Sequence, residues 1–387
     1  MEPLVLAQGS SHRAALSDLA IELATRSAGF RRSLADGVVT ALADLVRSMN
    51  CYYSNLIEGH DTHPVDIERA LKKDYSTDPK KRNLQLEAAA HIAVQKWIDD
   101  GGLTSPATVT TAILEIHRRF CAQLPDELLW VEFPSTKEKI RVVPGTLRAH
   151  DVEAGRHVPV SPGALPRFLK RFEDVFGALG KSETIVGAAA AHHRLLWIHP
   201  FLDGNGRVAR LMSYATLREA LQTGGIWSIA RGLARNVDAY KQHLTNCDLP
   251  RRNDLDGRGS LSEEALAEFT HFFLETCLDQ VTFMERLVQP DKLRARVKLW
   301  ADEEIATGAL PPRAGMVLDA ILYRGALPRG EVHELLNTSP RSARRIVAAL
   351  LERDVITAAT TKSDLRIAFP ASLAGRWMPG LFPEKAD

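Results

Sequence analysis

The sequence predicts a mainly helical protein that closes with a smaller module of three helices and a hairpin. Three observations carry this expectation. Apolar residues recur at helical spacing through most of the 387 residues. Strand-like alternation is scarce before residue 355. A hinge, Thr307-Gly308-Ala309-Leu310-Pro311-Pro312, separates the long helical stretch from the last segment. A hydrophobic content of 45% and a charged content of 25% are those of a soluble globular chain. The net charge of +1 excludes a polyelectrolyte binder, so any nucleic-acid contact has to come from a local patch. No stretch approaches the roughly 18 apolar residues that a membrane span requires. Cys51, Cys121, Cys247 and Cys277 form no CxxC pair, which predicts reduced, mostly buried thiols and a cytoplasmic setting.

In chain order, the segment 38–50 places Leu42, Leu45, Val46 and Met49 on one face of a helix. Residues 84–98 and 109–120 have the same period. Residues 139–161 depart from it: two short β-branched runs flank turn-rich residues around Glu153-Ala154-Gly155, which reads as a β-hairpin flap or as an irregular surface loop. Helices resume over 165–176, 183–197 and 205–222, then over 261–288 and 291–306 after a polar, turn-rich loop at 250–260. The expected organisation is an N-terminal helical region (1–100), a core with trailing helices (101–306) and the C-terminal module (313–378).

The chemistry concentrates in HPFLDGNGRVAR, His199 to Arg210. Pro200 and the Gly204-Asn205-Gly206 run interrupt one helix, and an apolar helix with Val208, Leu211, Met212 and Ala215 begins just after. The glycines therefore sit at a helix N-terminus, where unpaired N–H groups and the positive end of the dipole favour phosphate. Arg207 and Arg210, three apart, can both face a polyphosphate. Asp203 offers a hard carboxylate for phosphate-bound Mg²⁺, and His199 has the chemistry of a general base toward a hydroxyl. Together these groups form a phosphoryl-type transfer site. Two other patterns fail. The GxGxxA string at 204–209 follows a helix, not a strand, and Gly180-Lys181-Ser182 lacks the P-loop glycine, since Val175 stands there.

This stretch resembles the Fic family signature HxFx(D/E)GNGRxxR at every fixed position: His199, Phe201, Asp203, Gly204, Asn205, Gly206, Arg207 and Arg210. The resemblance implies a helical Fic core and transfer of AMP from ATP to a Ser, Thr or Tyr hydroxyl of a target protein. It implies His199 as base, Asp203 as Mg²⁺ ligand, Asn205 and the glycine backbone on the α-phosphate, Arg207 and Arg210 on the outer phosphates, and Phe201 as a core anchor. Kinase-like relatives carry Lys where this chain has Gly206, so Gly206 favours adenylyl transfer. Upstream, Ser54-Asn55-Leu56-Ile57-Glu58-Gly59 resembles the inhibitory (S/T)xxxE(G/N) pattern of members with an N-terminal inhibitory helix. Glu58 would compete with the γ-phosphate for Arg210, with Ser54 as part of the pattern. The family's flap docks targets by strand addition, and the matching region, 141–160, offers Val158 and Val160 as edge residues.

The C-terminal module shows helices over 313–324, 329–336 and 340–353, the last capped by Ser339 with Pro340 at its first position. Short strands at 355–357 and 365–369 follow. The order resembles a winged helix-turn-helix. Arg341, Arg344 and Arg345 lie on the outer face of its third helix, and 313–378 holds ten Lys/Arg against six Asp/Glu. DNA and a protein or homodimer contact both remain open as partners. The expected function is an AMP-transferring enzyme restrained by Glu58. The alternatives are a DNA-binding regulator whose core only senses nucleotide, and a bifunctional site that also removes AMP.

Overall fold

The structure is a computed structural model and describes residues 1–133 and 137–383. The chain divides into two compact units. The first comprises Met1–Ser27, Asn50–Thr223 and Ser228–Gln280; the second comprises Ala28–Met49, Gly224–Trp227 and Val281 onwards. The helices, in order, are α1 (Arg13–Arg32), α2 (Asp36–Ile57), α3 (Pro64–Leu71), α4 (Pro79–Asp99), α5 (Thr110–Cys121), α6 (Leu165–Phe176), α7 (Lys181–Ile198), α8 (Asn205–Leu221), α9 (Ala230–Arg235), α10 (Val237–Cys247), α11 (Glu263–Leu287), α12 (Pro290–Ala306), α13 (Ala314–Arg324), α14 (Val332–Leu335), α15 (Pro340–Glu352) and α16 (Ala374–Trp377). Helix α1 has no counterpart among the expected segments, although Leu16, Ala20, Leu23, Ser27 and Phe30 are buried along it at helical spacing. All four cysteines are free and buried. Among the described residues no helix is long and apolar enough to cross a membrane.

The first unit is built on α7 and α8, which pack against each other along their length. Ala188, Ala189, Ala190 and Ala191 are all buried, so α7 is enclosed on every side over this stretch. Helices α4 and α5 lie against α8, and α6 covers α7. Helix α8 is buried nearly all round, from Asn205 to Leu217. A helix with no wet face must find partners for its polar side chains inside the protein. Its Ser213 hydroxyl accordingly meets His192 Nδ1 at 2.9 Å, and Thr216 bonds back to the Met212 carbonyl at 2.9 Å.

The hairpin of this unit lies earlier than 139–161. Strand β1 (Trp130–Glu132) pairs antiparallel with β2 (Lys139–Arg141), Val131 opposite Ile140. Residues 142–161 carry one isolated bridge, Ala154 with His157. Pro144 and Pro159 lack the N–H that a ladder needs, and the segment is pinned by a buried arginine instead, as described below. The expected edge positions are corrected accordingly: Val158 is exposed and belongs to no strand, and the Val160 carbonyl is taken by Arg148.

In the second unit α12 packs on α13, and Trp300 meets Trp377 edge-to-face at 5.2 Å. Helices α13, α14 and α15 are followed by β3 (Ile356–Thr357) and β4 (Arg366–Ile367), paired antiparallel. Leu327 bridges to Leu365 beside this hairpin. The start of α15 follows its cap chemistry: the Ser339 hydroxyl accepts from the Ser342 N–H at 3.2 Å, and Pro340 occupies a position with no donor to lose. Ala343, Ile346, Val347 and Leu350 face inward, while Arg341, Arg344 and Arg345 are exposed.

Candidate active site

The loop between α7 and α8 is shaped by two left-handed residues. His199 closes α7 at φ 51°, a strained region for a side chain with Cβ, and Gly204 opens α8 at φ 79°. Asn205 braces the turn between them. Its Oδ1 accepts from the Phe201 N–H at 3.0 Å, and its Nδ2 donates to the Phe201 carbonyl at 2.9 Å. Each end of this amide bonds the loop, so the side chain orders the turn at the start of α8. Phe201 is fully buried and stacks on His117 of α5 at 3.8 Å between centroids. His117 Nδ1 accepts from the Gly145 N–H at 2.9 Å, which ties the segment after β2 to the same anchor. Burial, above all, pushes the His117 ring down to about 4, so it serves as a neutral spacer.

Arg148 is the second brace. It is buried, and its Nε donates to the His199 carbonyl at 2.8 Å. Its other nitrogens donate to the carbonyls of His150, at 2.9 Å, and Val160. One side chain therefore holds both the strained His199 and the 142–161 segment. His199 Nδ1 lies 3.2 Å from the Leu196 carbonyl, which fixes the proton on that nitrogen and leaves Nε2 as the basic atom. Burial lowers the ring to about 4, with Arg148 and His157 adding to the effect, so the imidazole is neutral near pH 7.

Helix α8 begins beyond this loop. Helix geometry leaves the N–H groups of its first turn, Asn205 to Arg207, without intrahelical partners. Gly206 keeps this end open: a Cβ there would lie 2.5 Å from Glu58 Oε1 and 3.1 Å from Arg210 Nη1. Glu58 stands in the turn after α2 and forms an ion pair with Arg210. Arg210 is itself buried, and its Nε donates to the Ser54 hydroxyl at 2.8 Å. Partial burial pushes the Glu58 carboxyl up, but Arg210, then Arg207 and His60, outweigh it and hold the carboxyl below its ordinary range. Tyr240 of α10 also bonds Arg210 and meets His192 Nε2 at 2.7 Å, which extends the network into the core. Asp203 is exposed at the lip, with Oδ1 on the Gly204 N–H at 2.6 Å.

Arg207 is paired with a residue that no sequence pattern flags. Its Nη2 donates to Glu87 of α4 at 2.6 Å, and its guanidinium lies 5.2 Å from the Phe120 ring centroid. Its buried Nε has no hydrogen-bond partner among the described residues. The structure thus brings together His199, Phe201, Gly204, Asn205, Gly206, Arg207, Arg210, Asp203, Ser54 and Glu58. Val158 and Val160 lie on the segment pinned by Arg148, and Arg341, Arg344 and Arg345 belong to the other unit. Among the described residues no three His, Cys, Asp or Glu side chains are gathered to cage a metal. A hard divalent ion bound mainly by phosphate oxygens needs only one or two carboxylates, and Asp203, exposed at the lip, fits that requirement.

The loop and helix start place unpaired N–H groups beside two buried arginines, an arrangement that suits an anion. Residues 107–217 match the model of the Fic/DOC family. Two curated relatives are protein adenylyltransferases Fic. That of Drosophila willistoni is 29% identical over 171 residues, covering 44% of this chain and 31% of the relative. That of Drosophila virilis is 29% identical over 171 residues, covering 44% and 32%. The match therefore spans about a third of the length of these relatives. Among solved structures, a Fic family protein from Desulfovibrio desulfuricans G20 superposes with a TM-score of 0.55 at 16% identity. That match covers 94% of this chain and 98% of the other. A fragment of Fic-1 from C. elegans gives 0.51 at 18% identity, covering 70% and 72%. These likenesses extend the helical fold beyond residues 107–217.

Proposed function

We propose that this chain is a protein adenylyltransferase that moves AMP from ATP to a Ser, Thr or Tyr hydroxyl of a target protein, under restraint by Glu58. One observation carries the reading: a neutral His199 with Nε2 free is held beside an open helix N-terminus that carries two buried arginines. The polyphosphate would lie on the first-turn N–H groups of α8, with Arg210 and the unspent donors of Arg207 on the outer phosphates. His199 Nε2 would accept the proton as the target oxygen attacks the α-phosphorus. The bond from that phosphorus to the bridging oxygen breaks, and pyrophosphate leaves. Asp203 would hold a magnesium ion, whose chemistry when bound is to neutralise phosphate charge. Asn205, His117 and Arg148 would keep the loop in register with the nucleotide.

Restraint follows from competition for one donor. While Glu58 occupies Arg210, the γ-phosphate cannot use the same guanidinium, and ATP settles in an unproductive pose. The test is label transfer. ATP labelled at the α-phosphate should mark protein, while ATP labelled at the γ-phosphate should not. Label from the γ-position would mean phosphoryl transfer instead, and no label from either, even with Glu58 replaced, would retire the enzymatic reading.

A second reading concerns the other unit. Arg341, Arg344 and Arg345 are all exposed along one face of α15, a helix followed by a two-stranded hairpin. We propose this face as a nucleic-acid contact, with phosphate neutralisation as its main source of affinity.

A further inference from the structure

Glu87 and His60 take no part in the chemistry above, yet they meet at the phosphate site. One oxygen, Glu87 Oε2, lies 2.6 Å from Arg207 Nη2 and 3.1 Å from His60 Nδ1. The same His60 nitrogen is 3.2 Å from Arg207 Nη2, so the three groups close a triangle. His60 belongs to the turn that carries Glu58. Within that turn the Asn55 carbonyl accepts the N–H groups of Glu58, at 3.0 Å, and of His60, at 2.9 Å. Gly59 between them sits at φ 84°, which lets the chain reverse there.

We propose that Glu87 and His60 form a second latch, positioning the turn that carries Glu58 and so setting how firmly the restraint on Arg210 closes. The proposal rests on the restraint reading of Glu58. The geometry behind it is a two-point attachment. Glu58 holds the turn to Arg210, and His60 holds it through Glu87 to Arg207, one helical turn away on α8. Two links on one rigid turn reinforce each other, because each keeps the other at high effective concentration. Glu87 reaches the triangle from α4, so a third element sets the position of the turn. The His60 side chain is 39% exposed, so removing it opens no core cavity. His60 is thus a positioning residue, acting through Glu58.

The test uses the full chain and self-labelling from ATP marked at the α-phosphate. His60→Ala, Glu58→Gly and the double variant are compared, with thermal unfolding as a control for folding. A net hydrogen bond of this kind shifts a two-state equilibrium by about fivefold. His60→Ala should therefore raise labelling about fivefold, and less than Glu58→Gly does. On the Glu58→Gly background His60→Ala should add nothing, because its route of action is gone. His60→Gln, which keeps a side-chain N–H donor, should fall between wild type and His60→Ala. A rise with Glu58→Gly and none with His60→Ala would overturn the latch and leave the restraint standing. Equal effects of His60→Ala with and without Glu58 would show that His60 acts elsewhere, and would also overturn it. No rise with Glu58→Gly would remove the restraint, and the latch with it.

Discussion

Replacing Glu58 by glycine is the perturbation with the largest expected consequence. The carboxylate it removes pairs with Arg210, whose buried guanidinium is also tied to Ser54 by a 2.8 Å hydrogen bond. Arg210 therefore stays in place when Glu58 goes, and what changes is the availability of its outer nitrogen. A hydrogen bond to a charged group is worth about 1.5–3 kcal/mol, while breaking a fully buried pair costs about 3–5 kcal/mol. The Glu58 side chain is 35% exposed, so solvent screens the pair and the lower range applies. Returning that energy to the γ-phosphate should raise self-modification roughly 10- to 100-fold, since about 1.4 kcal/mol is a factor of ten. The assay is incorporation from ATP labelled at the α-phosphate, in the presence of magnesium. Arg210→Ala added to Glu58→Gly should abolish the gain, because the freed donor is then absent. ATP affinity alone is a poor readout, since a restrained site can still bind nucleotide in the wrong pose. Equal labelling by wild type and Glu58→Gly, both folded, would refute the competition argument.

His199→Ala should leave nucleotide binding largely intact, measured by calorimetry, while transfer falls about 100- to 10,000-fold. Wild-type labelling should stay flat between about pH 6 and pH 8, because His199 is held down to about 4 and Glu58 below 4.5; a sigmoidal rise near neutrality would contradict this. The restraint itself is present above the ordinary carboxylate range and is lost only as pH falls through the lowered pKa of Glu58. Stability should decline in acid for a separate reason: His91, His117, His192 and His193 are buried, with values of about 3 to 4 against 6.5 when unfolded. The unfolded chain then binds more protons, so their contribution is complete above about 6.5 and drops toward pH 4, by up to about 1.4 kcal/mol per pH unit for each ring. Denaturant titrations across that range measure it. Asn205→Ala should weaken transfer through loss of loop order, and the Phe201 amide should exchange faster with solvent. Changing Arg341, Arg344 and Arg345 to Ala should weaken DNA binding and flatten its salt dependence; no DNA affinity in wild type at low salt would leave α15 as a protein-contact face.

The sequence by itself determined the helical class, because apolar spacing near 3.6 is a local property. It also marked the candidate site, because a phosphate cradle needs its glycines, arginines and acid within one loop and the first turns of one helix. The Ser339-Pro340 start of α15 was legible for the same reason, since a cap is written in adjacent residues. The hairpin was placed too late. β-Branched runs at 139–161 mark strands only if a partner is nearby, and the partner strand lies upstream at 130–132. The roles within the site belonged to tertiary structure. Arg207 and Arg210 look equivalent in the motif, but one meets Glu87 of α4 and the other meets Glu58 beyond α2. Asn205 stands in the motif as a phosphate ligand, and only the folded loop shows that its amide also braces the Phe201 backbone. Arg148, His117 and Glu87 carry no motif. Their partners are 51, 28 and 120 residues away in the chain, and local patterns cannot encode a pairing that only folding brings within 3 Å.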